Sequence, residues 1–360
     1  MRILHIINSL RTGGAERLMV DLLPRLASRG HIVELLLFDG VRTPFLSEIE
    51  RRGITVRSLR SGTGNAYSPL LCRRLCRFVC AGSYDIVHTH NTAPQLFGAV
   101  ASLRCRPRFF TTEHNTNNRR RGKEWLRRVD RWLYSRYEKV ICVSTAVREA
   151  LVEWVPEAEP RCRVVTNGVD LSRFASAKPS AEVAARWSGL HVVSMVARFD
   201  PQKDQPTLIR ALALLPTDFR LCLAGEGATM DDCRELARRL GVEDRVWFMG
   251  VRGDVAEIYR ASETVVFSSN YEGLPLSAIE GMASGRPLVA SDAPGINDVA
   301  RGAGILFPTG DHKALAQIIE KLAADPALRA ETSKRCMERA DLYGIEQMVD
   351  GYEALYLNLD

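Results

Sequence analysis

His191-Val192-Val193-Ser194-Met195-Val196-Ala197 runs straight into Arg198-Phe199-Asp200-Pro201-Gln202-Lys203. The first stretch is apolar on both faces of a would-be strand, which is the pattern of a strand covered on both sides. A charged turn containing proline ends it. Comparable runs occupy 3–7, 32–38, 54–59, 86–88, 109–112 and 140–143 before it, and 221–224, 246–249, 264–267 and 288–290 after it. Longer amphipathic stretches separate them. One of these closes on Ser28-Arg29-Gly30, a helix C-cap glycine signal. Continuous apolar strands with helical spacers predict an α/β chain with parallel sheets. The rhythm breaks once, between 167 and 190. Asn167-Gly168 is a turn signal there, and Ala175-Ser176-Ala177-Lys178-Pro179-Ser180 has linker composition. The expected architecture is two Rossmann-like domains, 1–172 and 173–344, whose parallel sheets face across a cleft at the carboxyl ends of their strands. A final segment, 345–360, has helical spacing through Met348, Tyr352, Leu355 and Tyr356.

The composition is that of a soluble globular protein, 46% apolar and 26% charged. No window approaches the ~18 apolar residues of a membrane span, and the first eight residues do not form a signal peptide. A cytoplasmic protein is expected. Nine scattered cysteines without a secretion signal suggest reduced thiols. Cys72, Cys76 and Cys80 share a helix face, but no histidine completes a metal set, so they read as core residues. Residues 1–172 carry 28 Lys and Arg against 16 Asp and Glu, whereas the remainder is net acidic. A nucleic acid or an anionic membrane surface would suit the basic half.

Three stretches offer chemistry. Gly13-Gly14 stands between the first strand and its helix, where bare amides can approach an anion or a sugar hydroxyl, although a tight turn explains the pair equally well. No Gly-x-Gly-x-x-Gly is present. Arg198 and Lys203 lie at a strand's carboxyl end, spaced to reach one phosphate group. In Ser269-Asn270-Tyr271-Glu272-Gly273-Leu274-Pro275-Leu276-Ser277-Ala278-Ile279-Glu280, the turn marked by Gly273 and Pro275 leads into a helix. Eight helical rises would place Glu272 and Glu280 roughly 12 Å apart. That is too far for a glycosidase carboxylate pair, and suits the two hydroxyl-bearing ends of one ligand with a diphosphate at the helix N-terminus between them.

In this order and spacing, Gly13-Gly14-Ala15-Glu16, Thr112-Glu113-His114, Asn167-Gly168-Val169-Asp170, Arg198 to Lys203 and the Glu272/Glu280 pair resemble the retaining GT-B glycosyltransferases of family GT4. The family also includes bacterial capsule and exopolysaccharide sugar transferases. The resemblance covers nearly the whole chain. It implies a nucleotide-sugar donor; uridine, guanosine and adenosine stay open as its base, with a uridine-diphosphate sugar the first expectation, and no cofactor and no metal are expected. Arg198 and Lys203 would hold the diphosphate, and Glu280 the ribose. Glu272 would hold the transferred sugar, helped by the amides of Gly273 and Leu274. His114 would lie over the sugar near its reacting carbon, and the last helix would cross back onto the first domain. Gly281 follows Glu280 where alanine is usual in the family.

His88 and His90 are second candidates for the histidine role, with strand-end hydrogen bonding as the plainer reading. They lack a carboxylate that would make them a metal pair, and the absence of Asp-x-Asp leaves charge neutralisation to Arg198 and Lys203. A nucleotide-sugar epimerase of the same fold, an inverting transferase and a silent nucleotide-sugar-binding subunit are the alternatives. The intact set of Arg198, Lys203, Glu272 and Glu280 weighs against the last. A sugar or lipid-linked acceptor is the expected partner, and nucleic acid is not. Residues 119–133 combine Arg119, Arg120, Arg121 and Lys123 with Trp125, Leu126, Val129, Trp132 and Leu133 at helical spacing. That composition fits a helix lying on the inner face of the membrane; an ordinary domain helix with both tryptophans in the core fits as well.

Overall fold

The computed structural model describes residues 1–11, 13–116 and 123–358. Two compact units divide the chain: Met1–Asn167 with Ile345–Asp360, and Gly168–Gly344. The chain leaves the first unit earlier than 172/173 because Val169 already belongs to the second. Its amide donates to the Tyr343 carbonyl at 2.8 Å, and Val169 and Phe174 are buried in the second unit's core. The segment with linker composition is likewise part of that unit. Ser180 is buried, donates its amide to the Glu257 carbonyl and caps the helix Ala181–Arg186.

The first unit holds seven strands: β1 Arg2–Ile7, β2 Ile32–Leu37, β3 Thr55–Ser58, β4 Ile86–His90, β5 Arg108–Glu113, β6 Lys139–Cys142 and β7 Cys162–Val164. All pair in parallel, in the order β3-β2-β1-β4-β5-β6-β7. The second unit holds β8 His191–Val196, β9 Phe219–Ala224, β10 Val246–Gly250, β11 Thr264–Phe267, β12 Leu288–Ser291 and β13 Ile305–Phe307. Their order is β10-β9-β8-β11-β12-β13, again parallel throughout. Each sheet is a Rossmann-like sheet that starts in its middle, grows to one side and then reverses to the other.

Helices cover both faces because the central strands are apolar on both. The helix Gly14–Ser28 buries Leu18, Met19, Leu22, Leu23 and Leu26, and ends at Gly30 with φ +88°. The C-terminal helix Ile345–Leu357 adds Ile345, Met348, Val349, Tyr352, Leu355 and Tyr356 to that same core. Arg29 anchors it further through Glu346, Asp350 and Glu353.

The cysteines depart from the all-thiol expectation. Cys80 and Cys105 are joined in a disulfide, while Cys72 and Cys76 stay free and half-buried. The helices Pro69–Ala81 and Thr92–Ala101 pack together, which brings the end of one against the loop after the other. Twenty-five residues of sequence separate the pair and hide that proximity. No helix among the described residues is long and apolar enough to cross a membrane.

Candidate active site

In the second unit, order reversal leaves β8 and β11 side by side with their following loops diverging in chain direction. In an open α/β sheet such a reversal opens a crevice at the carboxyl ends. Lys203 lies on the loop after β8 and Glu272 on the loop after β11. Lys203 Nζ sits 2.5 Å from Glu272 Oε1, and the two side chains are 17% and 8% exposed. Gln202 Nε2 donates to the Tyr271 carbonyl at 2.8 Å and to Glu272 Oε2 at 3.3 Å. Ser268 Oγ donates to the carbonyls of Lys203 and Asp204 at 3.1 and 2.8 Å, and the Asn270 amide to the Gln202 carbonyl at 2.8 Å. The two loops are laced into one piece.

Close backbone packing completes it. A Cβ on Gly225, at φ +135°, would lie 2.0 Å from the Ala197 carbonyl oxygen. One on Gly295, at φ +80°, would lie 2.1 Å from the carbonyl oxygen of Glu272, whose amide donates to the Pro294 carbonyl. Only glycine fits either position. Sequence reading passed over Gln202, Gly225 and Gly295; Gly225-Glu226-Gly227 directly after a buried strand was the available signal.

Arg198 takes a different place. Its side chain is 66% exposed and pairs with Asp200 at 3.3 Å, while Lys203 faces Glu272. The helix begins only at Leu276, so Glu272 belongs to the preceding loop and its separation from Glu280 is not eight helical rises. The amides of Gly273 and Leu274 have no acceptor among the described residues, and Glu280 is half-buried beside Tyr259, whose phenol is pushed up by burial and then by that negative charge.

In the first unit the reversal falls between β1 and β4. At that end a polar pocket of about 290 Å³ is lined by Asn8, Tyr67, Asn91, Thr92, Gln95, Thr112, Glu113, His114 and Asn115. Asn91 holds φ +69° without being glycine, a local strain of the kind that gathers at binding sites. Glu113 Oε1 accepts from Gln95 Nε2 and from the Tyr134 hydroxyl, each at 2.7 Å. Gly13 and Gly14 open the helix after β1, with the Glu16 carboxylate folded back over Gly13.

His88 and His90 are fully buried within β4 and lie directly behind the pocket wall, in contact with its lining residues Thr112 and His114. Strand register sets His5 of β1 opposite His88, and the period of two puts His90 on the same face. His5 was missed because one polar residue in an apolar run reads as noise. His90 Nδ1 lies 3.2 Å from His114 Nε2, and His114 lines the pocket. Burial pushes His5 down to about 3 and His114 to about 4, and holds His88 and His90 well below the usual range. All four are neutral at pH 7.

The model for glycosyl transferases group 1 matches residues 182–341, and that for glycosyltransferase family 4 matches residues 12–173. EpsD of Bacillus subtilis is 30% identical over 80% of this chain and 81% of its own. An Escherichia coli UDP-Gal:alpha-D-GlcNAc-diphosphoundecaprenol alpha-1,3-galactosyltransferase is 26% identical over 90% of this chain and 85% of its own. Anabaena Alr3699/HepE, solved in complex with UDP-glucose, superposes with a TM-score of 0.85 at 25% identity, covering 99% of both chains. The chain belongs to the family 4 glycosyltransferases of GT-B fold.

The depressed histidines carry a prediction. A folded pKa below the unfolded one means that the unfolded chain gains protons first as pH falls. The stability contribution is therefore intact above about pH 6.5 and lost progressively toward the folded values. At pH 5 each buried neutral histidine is expected to cost about 2 kcal/mol of first-unit stability relative to pH 7. Urea unfolding at the two pH values, followed by near-ultraviolet signal, checks this; equal midpoints would contradict neutral, dry rings.

Proposed function

We propose that the chain is a retaining, metal-independent glycosyltransferase that moves a sugar from a uridine-diphosphate sugar to a hydroxyl of a sugar or lipid-linked acceptor. Cell-surface polysaccharide or glycolipid assembly is the setting. The observation that carries the reading is the Lys203–Glu272 pair, locked at the strand-order reversal of the second sheet. Similarity to HepE, solved with UDP-glucose, and to a transferase named for UDP-Gal and a diphosphoundecaprenol acceptor supports the donor and acceptor classes.

In this reading the diphosphate enters beside Lys203. Glu272 shares that ammonium in the free protein and is released to take a hydroxyl of the transferred sugar. The free amides of Gly273 and Leu274 meet the sugar or phosphate oxygens. As the bond from the anomeric carbon to the leaving oxygen lengthens, negative charge grows on the diphosphate. Lys203 and Arg198, the latter swung in from Asp200, neutralise it in place of a divalent ion. Glu280 holds the ribose hydroxyls. Gly13 and Gly14 admit the ligand close to backbone, and His114 contacts the sugar near its reacting carbon.

Lys203→Ala and Arg198→Ala are each expected to lower turnover by about 10²–10³-fold, with EDTA leaving the wild-type rate unchanged. Glu272→Gln should depress kcat and Glu280→Gln should raise donor KM. Donor turnover coupled to acceptor measures all four. Near-normal rates in Lys203→Ala, or abolition by EDTA with rescue by magnesium, would contradict the roles, and an inverted product anomer would contradict retention.

The peripheral association with an anionic membrane face rests on the helix Glu124–Tyr134. Leu133 is buried and Trp132 packs on the first unit's core, but Trp125 is 68% exposed, so the expectation of both tryptophans in the core holds only for Trp132. Arg119, Arg120, Arg121 and Gly122 lie outside the described residues. An exposed tryptophan beside Arg127, Arg128 and Arg131 suits an anionic lipid interface, where each cation contributes about 1 kcal/mol. Trp125→Ser is expected to weaken cosedimentation with anionic vesicles at low salt without altering the melting temperature. No binding of the wild-type protein to such vesicles would remove the membrane role.

A further inference from the structure

Seven side chains of the first unit form one unbranched chain of hydrogen bonds. His114 Nε2 meets His90 Nδ1 at 3.2 Å, His90 Nε2 meets His5 Nδ1 at 3.0 Å, and His5 Nε2 meets the Tyr356 hydroxyl at 3.4 Å. That hydroxyl meets His88 Nδ1 at 2.5 Å, His88 Nε2 meets Thr112 Oγ1 at 2.7 Å, and Thr112 Oγ1 meets the Tyr352 hydroxyl at 3.2 Å. His5, His88 and His90 are each entered at one nitrogen and left at the other, and His114 is the terminal ring, joined at Nε2. His5, His88 and His90 bring nitrogens within 4.8 Å of one another, as metal ligands do. Their rings, however, lie within 6–16° of parallel and each nitrogen is already used in the chain, so the lone pairs do not converge on an ion.

A neutral imidazole has one N–H and one bare nitrogen. All four rings are neutral, so a single proton must lie in every link and the donors must point one way along the whole chain. A buried unpaired N–H is the alternative, and it is costly. Only two arrangements exist: all four rings protonated at Nε2, or all four at Nδ1. The phenol decides between them. Tyr356 is fully buried and stays protonated, its phenol being a better donor than an imidazole N–H and a poorer acceptor than a bare imidazole nitrogen. Of its two contacts, 2.5 Å to His88 Nδ1 and 3.4 Å to His5 Nε2, the shorter is the stronger O–H···N bond, so the hydroxyl donates to His88 Nδ1. Tyr356 then accepts from His5 Nε2–H, His5 Nδ1 from His90 Nε2–H, and His90 Nδ1 from His114 Nε2–H. The bare Nδ1 of His114 is left, with no partner among the described residues, on the residue that lines the pocket.

We propose that Tyr356, on the C-terminal helix, is a positioning residue that fixes the tautomer of His114 through His5 and His90, presenting Nδ1 to the pocket as an acceptor for a hydroxyl. No contact joins Tyr356 and His114 directly; the setting is passed ring to ring. The consequence for turnover rests on the reading that His114 touches the transferred sugar, whereas the tautomer itself does not. Tyr356 reaches this place because Arg108 donates to its carbonyl at 2.6 Å and because its helix closes the first core.

Ring nitrogen NMR of the labelled full chain at pH 7, without ligand and with His114 assigned by a His114→Gln variant, is the test. The wild type is expected to show His5, His88, His90 and His114 all as Nε2–H. Tyr356→Phe removes the acceptor for His5 Nε2–H, so His5, His90 and His114 are expected to turn together to Nδ1–H. Thr112→Val, nearly the same size, removes the acceptor for His88 Nε2–H at the other end and is expected to reverse all four, which keeps the test open should Tyr356→Phe not fold. An unchanged His114 tautomer in whichever of the two variants folds overturns the proposal, as does a mixed set in the wild type. In a variant where His114 has turned, kcat is expected to fall at least tenfold while the thermal shift produced by uridine diphosphate stays as in the wild type. A turned tautomer with unchanged kcat upholds the relay and overturns the contact between His114 and the sugar.

Discussion

Both sheets begin in their middle. Each chain segment lays down one strand, builds outward to one edge, then returns to the middle and builds to the other, and the right-handed crossover forces the helices of the two halves onto opposite faces. The two loops that leave the central strands must therefore part, and a crevice with unpaired amides and free side chains is left between them. Apart from His114, which follows β5, every residue with a proposed contact to the donor stands on such a loop or on the helix that follows it. In the second unit the parted loops would be free to drift. The Lys203–Glu272 ion pair, Gln202 and Ser268 tie them, and the part-buried pair is tolerable because each charge has its partner and Gln202 also donates to Glu272.

The same topology produces something different in the first unit. There the middle strands β1 and β4 carry histidines on one face, and the C-terminal helix adds two tyrosines. Burying four imidazoles is affordable only when they are neutral and fully bonded, which turns a packing requirement into an ordered line of donors and acceptors ending at the pocket. Residues at the far end of the chain thus help to shape a site otherwise made by residues 8–115.

Much of this was legible in the sequence. Central strands are long, apolar and covered on both faces, so their runs stand out; β7 and β13 are three-residue edge strands with too few side chains to register, and both were missed. Lys203 and Glu272 were legible because charged residues directly after buried strands have few structural reasons to be there. Their mutual contact was not, since 69 residues separate them and only strand order brings them together. Arg198 and Lys203 were expected as a pair from spacing alone, whereas the turn sends one to solvent and the other to Glu272. His5 and the disulfide failed for the same reason: strand register and helix packing create both, and neither leaves a local pattern.

A crystal structure of the protein with uridine diphosphate tests the central claim, that the donor site is the locked reversal of the second sheet. The account predicts the diphosphate at the carboxyl ends of β8 and β11, with Lys203 Nζ moved from Glu272 onto a phosphate oxygen and the ribose at Glu280. A nucleotide bound elsewhere, with the Lys203–Glu272 pair undisturbed, would contradict it.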